Sequence, residues 1–467
     1  MLALPPGPRA GRLAQTVGFH RDPLGFLRAQ QRAFGDVFTI RLLVAGPAVV
    51  VAAPEAVAPL TGADPLHARA GEARRRILGF VSPRSVLGAD GGEHRDARAR
   101  VAPAFAPDAI AARRPAIAAL AERHAGDWPR GRPLRLLPRT RALSDEVFVR
   151  LVLGVRDDAR ARLLIPAIRR MLWTPGYPPL PPPADGAGLL GRLGGRLFDR
   201  RIAPVRQLLA AELETRRAAG AAAADGPPDL IGCMLGAGPA PPLPTDAALD
   251  ALIPLLMAGQ EPPGCALAWL LDRIAREPAA AAPFLDPAAD PPPDGDRRPA
   301  ADPAGAAPPD DDAASPQAPT AAGRPSPAPA AARERFVRET LRLRPAVHAV
   351  VRRLREPFEV AGHRLPAGAV ALLPTVLLHR DPVAFPEPDA FLPERWERAP
   401  AEAPYLPFGG GARRCLGEPL AHALIESALP PLARAARLAP IGRAPERMVV
   451  RGTVTAARRS GLARARR

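Results

Sequence analysis

From about Glu93 to Leu271 apolar residues recur at three- and four-residue spacing, the period of helices that each bury one face. The two ends of the chain read differently. After an extended start and a short helical pattern, Val37 to Ala52 alternates and is rich in β-branched residues, which predicts a two-stranded hairpin about Gly46-Pro47. Phe358 to Val376 predicts two or three short strands with Gly turns, and Arg447 to Ala457 predicts more of the same. The expected class is mainly α with a small β part drawn from both ends. Two stretches break the pattern. Thr174 to Gly186, "TPGYPPLPPPADG", must be a loop. Asp286 to Ala332 contains no Leu, Ile, Val, Met or aromatic residue and cannot bury apolar surface, so a disordered low-complexity insertion is expected over 286–332. Folded sequence resumes with "RERFVRETLRLRP", and there is no internal repeat.

A chain of 467 residues that is 47% apolar can bury a large core, so one large helical unit is allowed. The net charge of +17 comes entirely from Arg, since the chain has neither Lys nor Asn. With so much Ala, Pro and Gly, the charge reads first as the coding bias of a GC-rich genome. A basic face for an acidic protein partner is the functional alternative. Nucleic-acid binding is not expected, because no Arg stripe is interleaved with aromatics, which make up 4% of the chain. Cys233, Cys265 and Cys415 are too few and scattered for a disulfide framework and lack metal-site spacing, so a reducing cytoplasm fits. "MLALPPGPRAG" is followed by no long apolar run, so neither signal peptide nor membrane anchor is expected.

The most informative stretch is "PFGGGARRCLGEPLA", Pro407 to Ala421. Glycines allow a tight turn and close approach to a flat ligand. The cysteine that follows lies where a helix begins, and N–H groups and the helix dipole favour a thiolate there. The bland reading is a small buried cysteine beside a Gly-rich turn. The spacing of Phe408, Gly409, Gly411, Arg413, Cys415 and Gly417, however, resembles the cytochrome P450 signature. That resemblance implies one P450 domain over 1–467 and haem b (iron protoporphyrin IX) as cofactor. It makes Cys415 the axial ligand of the haem iron and lets Arg413 reach a propionate. It further implies a bacterial haem-thiolate monooxygenase that inserts one oxygen atom of O2 into a lipophilic substrate by hydroxylation or epoxidation.

Other motifs follow in the family's order. "ETLRLRP" puts Glu339 and Arg342 on one helical face, and "FLPERW" supplies Arg395. The resemblance makes these three a structural network behind the thiolate loop. His94 and Arg98 in "GEHRDARARVAPAF" match propionate-binding places, as does Arg352, whose neighbour Arg353 leaves the register open. The family's layout assigns the substrate pocket to Phe80, Val81, Leu256, Met257, Ala258, Glu261 and the Val347–Val350 stretch, with 174–186 as lid. No flavin or iron–sulfur segment is present, so ferredoxin and ferredoxin reductase, or a flavodoxin-type donor, are the implied partners. An acidic ferredoxin would suit a basic face near Arg413 and Arg414.

Departures from the family also matter. The oxygen-activating helix reads "LLMAGQEPPGCALAWLL": Ala258, Gly259 and Glu261 match, but Pro262 occupies the Thr position and Pro263 follows. Both prolines remove N–H donors, which predicts a kink, and Pro262 offers no hydroxyl for proton delivery. Glu261 with ordered water is then the expected carrier. The alternatives are a peroxide-dependent, non-oxygenating or decayed haem protein and, more distantly, an Arg-rich interaction protein without haem. Pro430 and Pro431 predict that the helix after the cysteine ends near Leu429.

Overall fold

A computed structural model describes residues 4–43, 46–62, 67–78, 81–172, 189–220, 226–286, 329–400, 402–442 and 444–465. Within these residues the chain opens with helices α1 (Arg12–Arg21) and α2 (Pro23–Phe34), strands β1 (Val37–Leu42) and β2 (Gly46–Val51), helix α3 (Val57–Gly62), strand β3 (Ala68–Arg69) and helix α4 (Ala70–Ile77). The helical half follows: α5 (Gly91–Val101), α6 (Pro107–Gly126), the short strand β4 (Pro133–Arg135), α7 (Leu136–Val147), α8 (Asp158–Leu172), α9 (Leu189–Ala218), α10 (Leu230–Met234), α11 (Thr245–Arg276) and α12 (Pro278–Leu285). The C-terminal third holds α13 (Pro329–Leu343), β5 (Val350–Leu354), β6 (Phe358–Val360), β7 (His363–Leu365), β8 (Val370–Leu373), α14 (Thr375–Leu378), α15 (Glu418–Ala436), β9 (Leu438–Pro440), β10 (Met448–Arg451), β11 (Val454–Ala457) and β12 (Leu462–Ala465).

The main sheet has the order β1-β2-β8-β5-β3 and so joins the two ends of the chain. β2 runs parallel to β8, while β1–β2 and β5–β8 are antiparallel. Three smaller sheets pair β10 with β11, β6 with β7, and β4, β12 and β9 in that order. At 32 residues α11 is about 48 Å long. It is apolar on most of its circumference because neighbours cover it all round. Leu252 and Leu256 pack with α8, α9 and α10, whereas Leu267 and Leu270 pack with α7, α13 and α15. Trp269 meets the sheet side, with Phe38, Val50 and Leu372. No helix among the described residues is long and apolar enough to cross a membrane.

Several local expectations need correction. Gly46 and Pro47 are not the turn: they pair with Leu42 and Arg41 as the first residues of β2, so the turn precedes them. Helix α13 starts at Pro329, ahead of the expected Arg333; residues 287–328 and the loop 174–186 lie outside the described residues. Helix α15 does not stop at Leu429 but continues through Pro430-Pro431 to Ala436. An interior proline costs about 3 kcal/mol, yet Leu429, Leu432 and Ala433 beyond and beside the pair are completely or almost completely buried. That packing outweighs the lost N–H donors. Helix α11 likewise runs unbroken through Pro254, Pro262 and Pro263.

Candidate functional site

The glycine run has a geometric cause. Gly409 and Gly411 take left-handed φ values of 74° and 61°, which side chains resist. A Cβ on Gly411 would also fall 2.1 Å from the Thr61 carbonyl oxygen at the end of α3. The loop therefore lies against α3 as closely as backbone can. The Cys415 N–H donates to the Phe408 carbonyl (2.9 Å) and closes the turn. Phe408 anchors it by packing its ring 5.3 Å from His422 on α15 and against the helical core. From α5, Arg98 donates to the Arg414 carbonyl (2.9 Å) and ties that helix to the loop.

Cys415 is exposed, unlike the buried Cys233 and Cys265. Its sulfur nonetheless sits deep in the molecule. Burial pushes its pKa up, the Gly417 N–H facing the sulfur pulls it down, Glu418 raises it, and Arg98 and Arg74 lower it. An exposed cysteine whose sulfur takes an N–H and lies in the field of two guanidinium groups suits a soft, electron-poor partner. Arg74 was not singled out in the sequence, because α4 carries three consecutive arginines and no motif marks one of them.

The other expected cofactor contacts divide. His94 is buried on α5. Strand alternation sets Arg352 and Arg353 on opposite faces: Arg352 points inward, 1% exposed, and donates to the Leu60 carbonyl (3.1 Å), whereas Arg353 pairs with Glu72. Arg413 is engaged elsewhere. Its guanidinium donates to Asp90 Oδ1 (2.6 Å) and the Ala89 carbonyl (2.7 Å), and Asp90 in turn accepts the first N–H groups of α4. In this arrangement Arg413 fastens the Cys415 loop to the segment before α5.

Behind the loop, the Glu339 carboxylate is fully buried and accepts five hydrogen bonds: two from Arg342, and one each from Arg395, Trp396 Nε1 and the Leu392 N–H, all 2.8 to 3.0 Å. Arg342 completes its fork on the carbonyls of His379, Pro388 and Ala390. His379 links this network to the loop. Its Nδ1–H donates to the Arg342 carbonyl (3.2 Å) and its Nε2 accepts the Leu406 N–H (2.7 Å), two residues before Phe408. Burial lowers the His379 pKa to about 3, so the ring is neutral as that tautomer requires. Trp396 and His379 went unmarked in the sequence; a tryptophan directly after the Pro-Glu-Arg triplet was the available hint.

On the opposite side, α7 backs the middle of α11. Thr140 Oγ1 donates to the Gly264 carbonyl (2.7 Å) and Ser144 Oγ to the Gln260 carbonyl (2.8 Å). Gly259 and Gly264 permit this approach: a Cβ at either would strike Phe148 or Arg141. Glu261 pairs with Arg141 (3.0 Å), and burial raises its pKa against the pull of Arg141. Apart from Thr245 at its start, α11 contains no hydroxyl side chain. Of the expected pocket residues, Met257, Val347 and Val350 are half-buried and Ala258 is exposed. Leu256 and Val81 are packed away at 0% and 4% exposure and do not open onto space, and Phe80 lies outside the described residues.

The cytochrome P450 family model matches residues 333–446, the span that holds the Glu339 network and the thiolate loop. Cytochrome P450 135B1 of Mycobacterium tuberculosis is 34% identical over 419 residues, 89% of this chain and 81% of that protein. Cyclooctatin synthase of Streptomyces melanosporofaciens is 28% identical, over 90% of this chain and 86% of that protein. Among solved structures, the heme domain of cytochrome P450DA superposes with a TM-score of 0.74 at 20% identity, covering 100% of this chain and 99% of that one. Retinoic acid-bound cyanobacterial CYP120A1 gives 0.72 at 19%, covering 99% of both chains. These structural matches speak for the fold alone.

Proposed function

Because this chain belongs to the cytochrome P450 family, and is thereby a haem-containing oxidoreductase of the monooxygenase class, we propose that it oxygenates a lipophilic small molecule at a haem whose iron is bound by Cys415. The observation that carries the reading is Cys415, exposed in a loop whose glycines take left-handed φ and with the Gly417 N–H on its sulfur. The haem, when bound, would supply the oxygen-activating chemistry, and Cys415 as a thiolate would hold its iron and donate electron density to it. His94, Arg98 and Arg352 are the residues suited to hold its carboxylates. The half-buried Met257, Val347 and Val350 with Ala258 would form an apolar wall that orients substrate and excludes water. Glu261 would carry protons at its carboxyl oxygens, since Pro262 has none to give. Electrons would come from a ferredoxin with its reductase or from a flavodoxin-type donor, received on the Arg-rich side of the loop.

The test is product formation from 18O2 with reductant and a donor system: one labelled oxygen per product supports the reading. One observation favours a second reading, the absence of any hydroxyl on α11 past Thr245. Under that reading the protein turns over with peroxide and hardly at all with O2 and electrons. Pro262→Thr separates the two. On the first reading it raises product formed per electron consumed by a few-fold; on the second it brings O2-dependent turnover into being. No change in either would mean that the missing hydroxyl does not limit the reaction.

A further inference from the structure

Near the end of the chain, the link from β9 to β10 and the link from β11 to β12 lie side by side. Backbone bonds join them: the Arg458 N–H donates to the Arg447 carbonyl (3.0 Å) and the Ile441 N–H to the Leu462 carbonyl (3.4 Å). Glu446 adds a side-chain clamp, because its carboxylate accepts the backbone N–H groups of Arg459 and Leu462. Two N–H groups converging on one carboxylate make a backbone nest for an anion. From the end of α11, Arg276 donates to the Gly442 carbonyl (3.1 Å), and its Nε is held by the buried Asp272. A cleft of about 320 Å³ opens between the two links. Its walls are thus pinned at Gly442, Glu446, Arg447, Arg459 and Leu462 before anything enters.

Charge in this cleft is unbalanced. Arg447, Arg458 and Arg459 line it, are exposed, and have no side-chain hydrogen bond or ion pair among the described residues. The one acid of the wall is Glu446. Both its oxygens are taken by backbone N–H groups, and it also acts on Arg451 of β10. Elsewhere on the surface arginines are matched with acids, as Arg114 is with Glu426 and Arg150 with Glu146 and Asp158. We propose that the cleft binds a phosphate group, carried by a small phosphomonoester or a diphosphate. Its volume is at the lower end of the range for ligand pockets, about 300–1,000 Å³, and suits a compact ligand. Guanidinium forks match phosphate oxygens, and three forks ask for more acceptor atoms than the two that a carboxylate offers. Like charges gathered by two pinned links repel one another, and a dianion among them relieves that repulsion. This binding needs no haem and goes beyond the oxygenation reading.

The test is calorimetric titration of pyrophosphate into the full-length protein at low ionic strength, where exposed charges are least screened. One saturable site per chain is expected. Arg447→Gln, Arg458→Gln and Arg459→Gln should each weaken binding about tenfold, the worth of one charge-assisted hydrogen bond, and the triple variant should abolish it. Because the whole chain is basic, a control removes the same charge elsewhere: Arg84→Gln, Arg162→Gln and Arg170→Gln together, at three exposed arginines outside the cleft. The control should bind as the parent does. All six positions are exposed, so the variants should fold, and thermal unfolding checks that they do. Vesicles containing phosphatidate separate two sources of the phosphate. Flotation that the triple variant loses assigns the site to a lipid headgroup; no flotation, or flotation that it keeps, assigns it to a soluble phosphate. Absence of saturable pyrophosphate binding, an equal loss in the control, or citrate bound as tightly as pyrophosphate would each overturn the proposal. The titration reads the same whether or not the protein oxygenates anything, so its failure and that of the oxygenation reading are separate results.

Discussion

The carboxylate behind the thiolate loop and the polar residues at the middle of α11 are both buried, and they are treated in opposite ways. Glu339 receives five donors from four residues, and each arginine it binds is fixed further by backbone carbonyls. Gln260, fully buried on α11, has no hydrogen-bond partner for either its oxygen or its nitrogen among the described residues. Beside it Glu261 has one guanidinium, and two prolines remove N–H donors from the helix. A satisfied buried network is rigid, whereas a partly satisfied one leaves room for alternative arrangements. The first kind suits a scaffold that must hold one cysteine loop in one shape. The second suits groups that must exchange protons.

This contrast can be broken most directly at Glu339. Glu339→Gln keeps the shape but leaves Arg342 and Arg395 buried without a countercharge, at an expected cost of about 3–5 kcal/mol. Chemical denaturation should show the loss, together with loss of haem during purification. A change below about 1 kcal/mol would mean the network is not the scaffold it looks like.

His379 sharpens the comparison through pH. Its pKa falls from 6.5 to about 3 on folding, so between those values the unfolded chain binds the extra proton. Stability from this residue is present above about pH 6.5 and is lost as pH falls toward 3, on the order of 5 kcal/mol in all. Unfolding free energies at pH 7 and pH 4.5 should differ less in His379→Gln than in the parent. Equal slopes would show that His379 does not hold the loop as a neutral ring.

Gln260 gives the smallest effect, in the other direction. Replacing an unpartnered buried amide by an apolar group of similar size, Gln260→Leu, should leave stability unchanged or raise it by about 1 kcal/mol. A clear loss in thermal unfolding would show that Gln260 has a partner after all, and with it the distinction between the two regions would fade.

The parts of the molecule legible in its sequence were those whose meaning is local. The spacing around Cys415, the helical period of Glu339 and Arg342, and the alternation of the short strands need no knowledge of distant residues. What escaped depends on contacts made across the chain. Arg413 has its acceptors at Ala89 and Asp90, more than three hundred residues earlier. His379 matters because its two nitrogens bridge two separate backbone segments. The helix after the cysteine passes Pro430-Pro431 because its far end is buried, which propensity alone does not register. That Arg352 is buried and Arg353 is not follows from strand alternation alone.

The central claim is that Cys415 binds haem iron as a thiolate, and the reduced protein with carbon monoxide tests it most directly. A strongly red-shifted Soret band in the difference spectrum, absent from Cys415→Ser, is the predicted result. A band at the position of imidazole-ligated haem, or a protein that takes up no haem when it is supplied during expression, would contradict it.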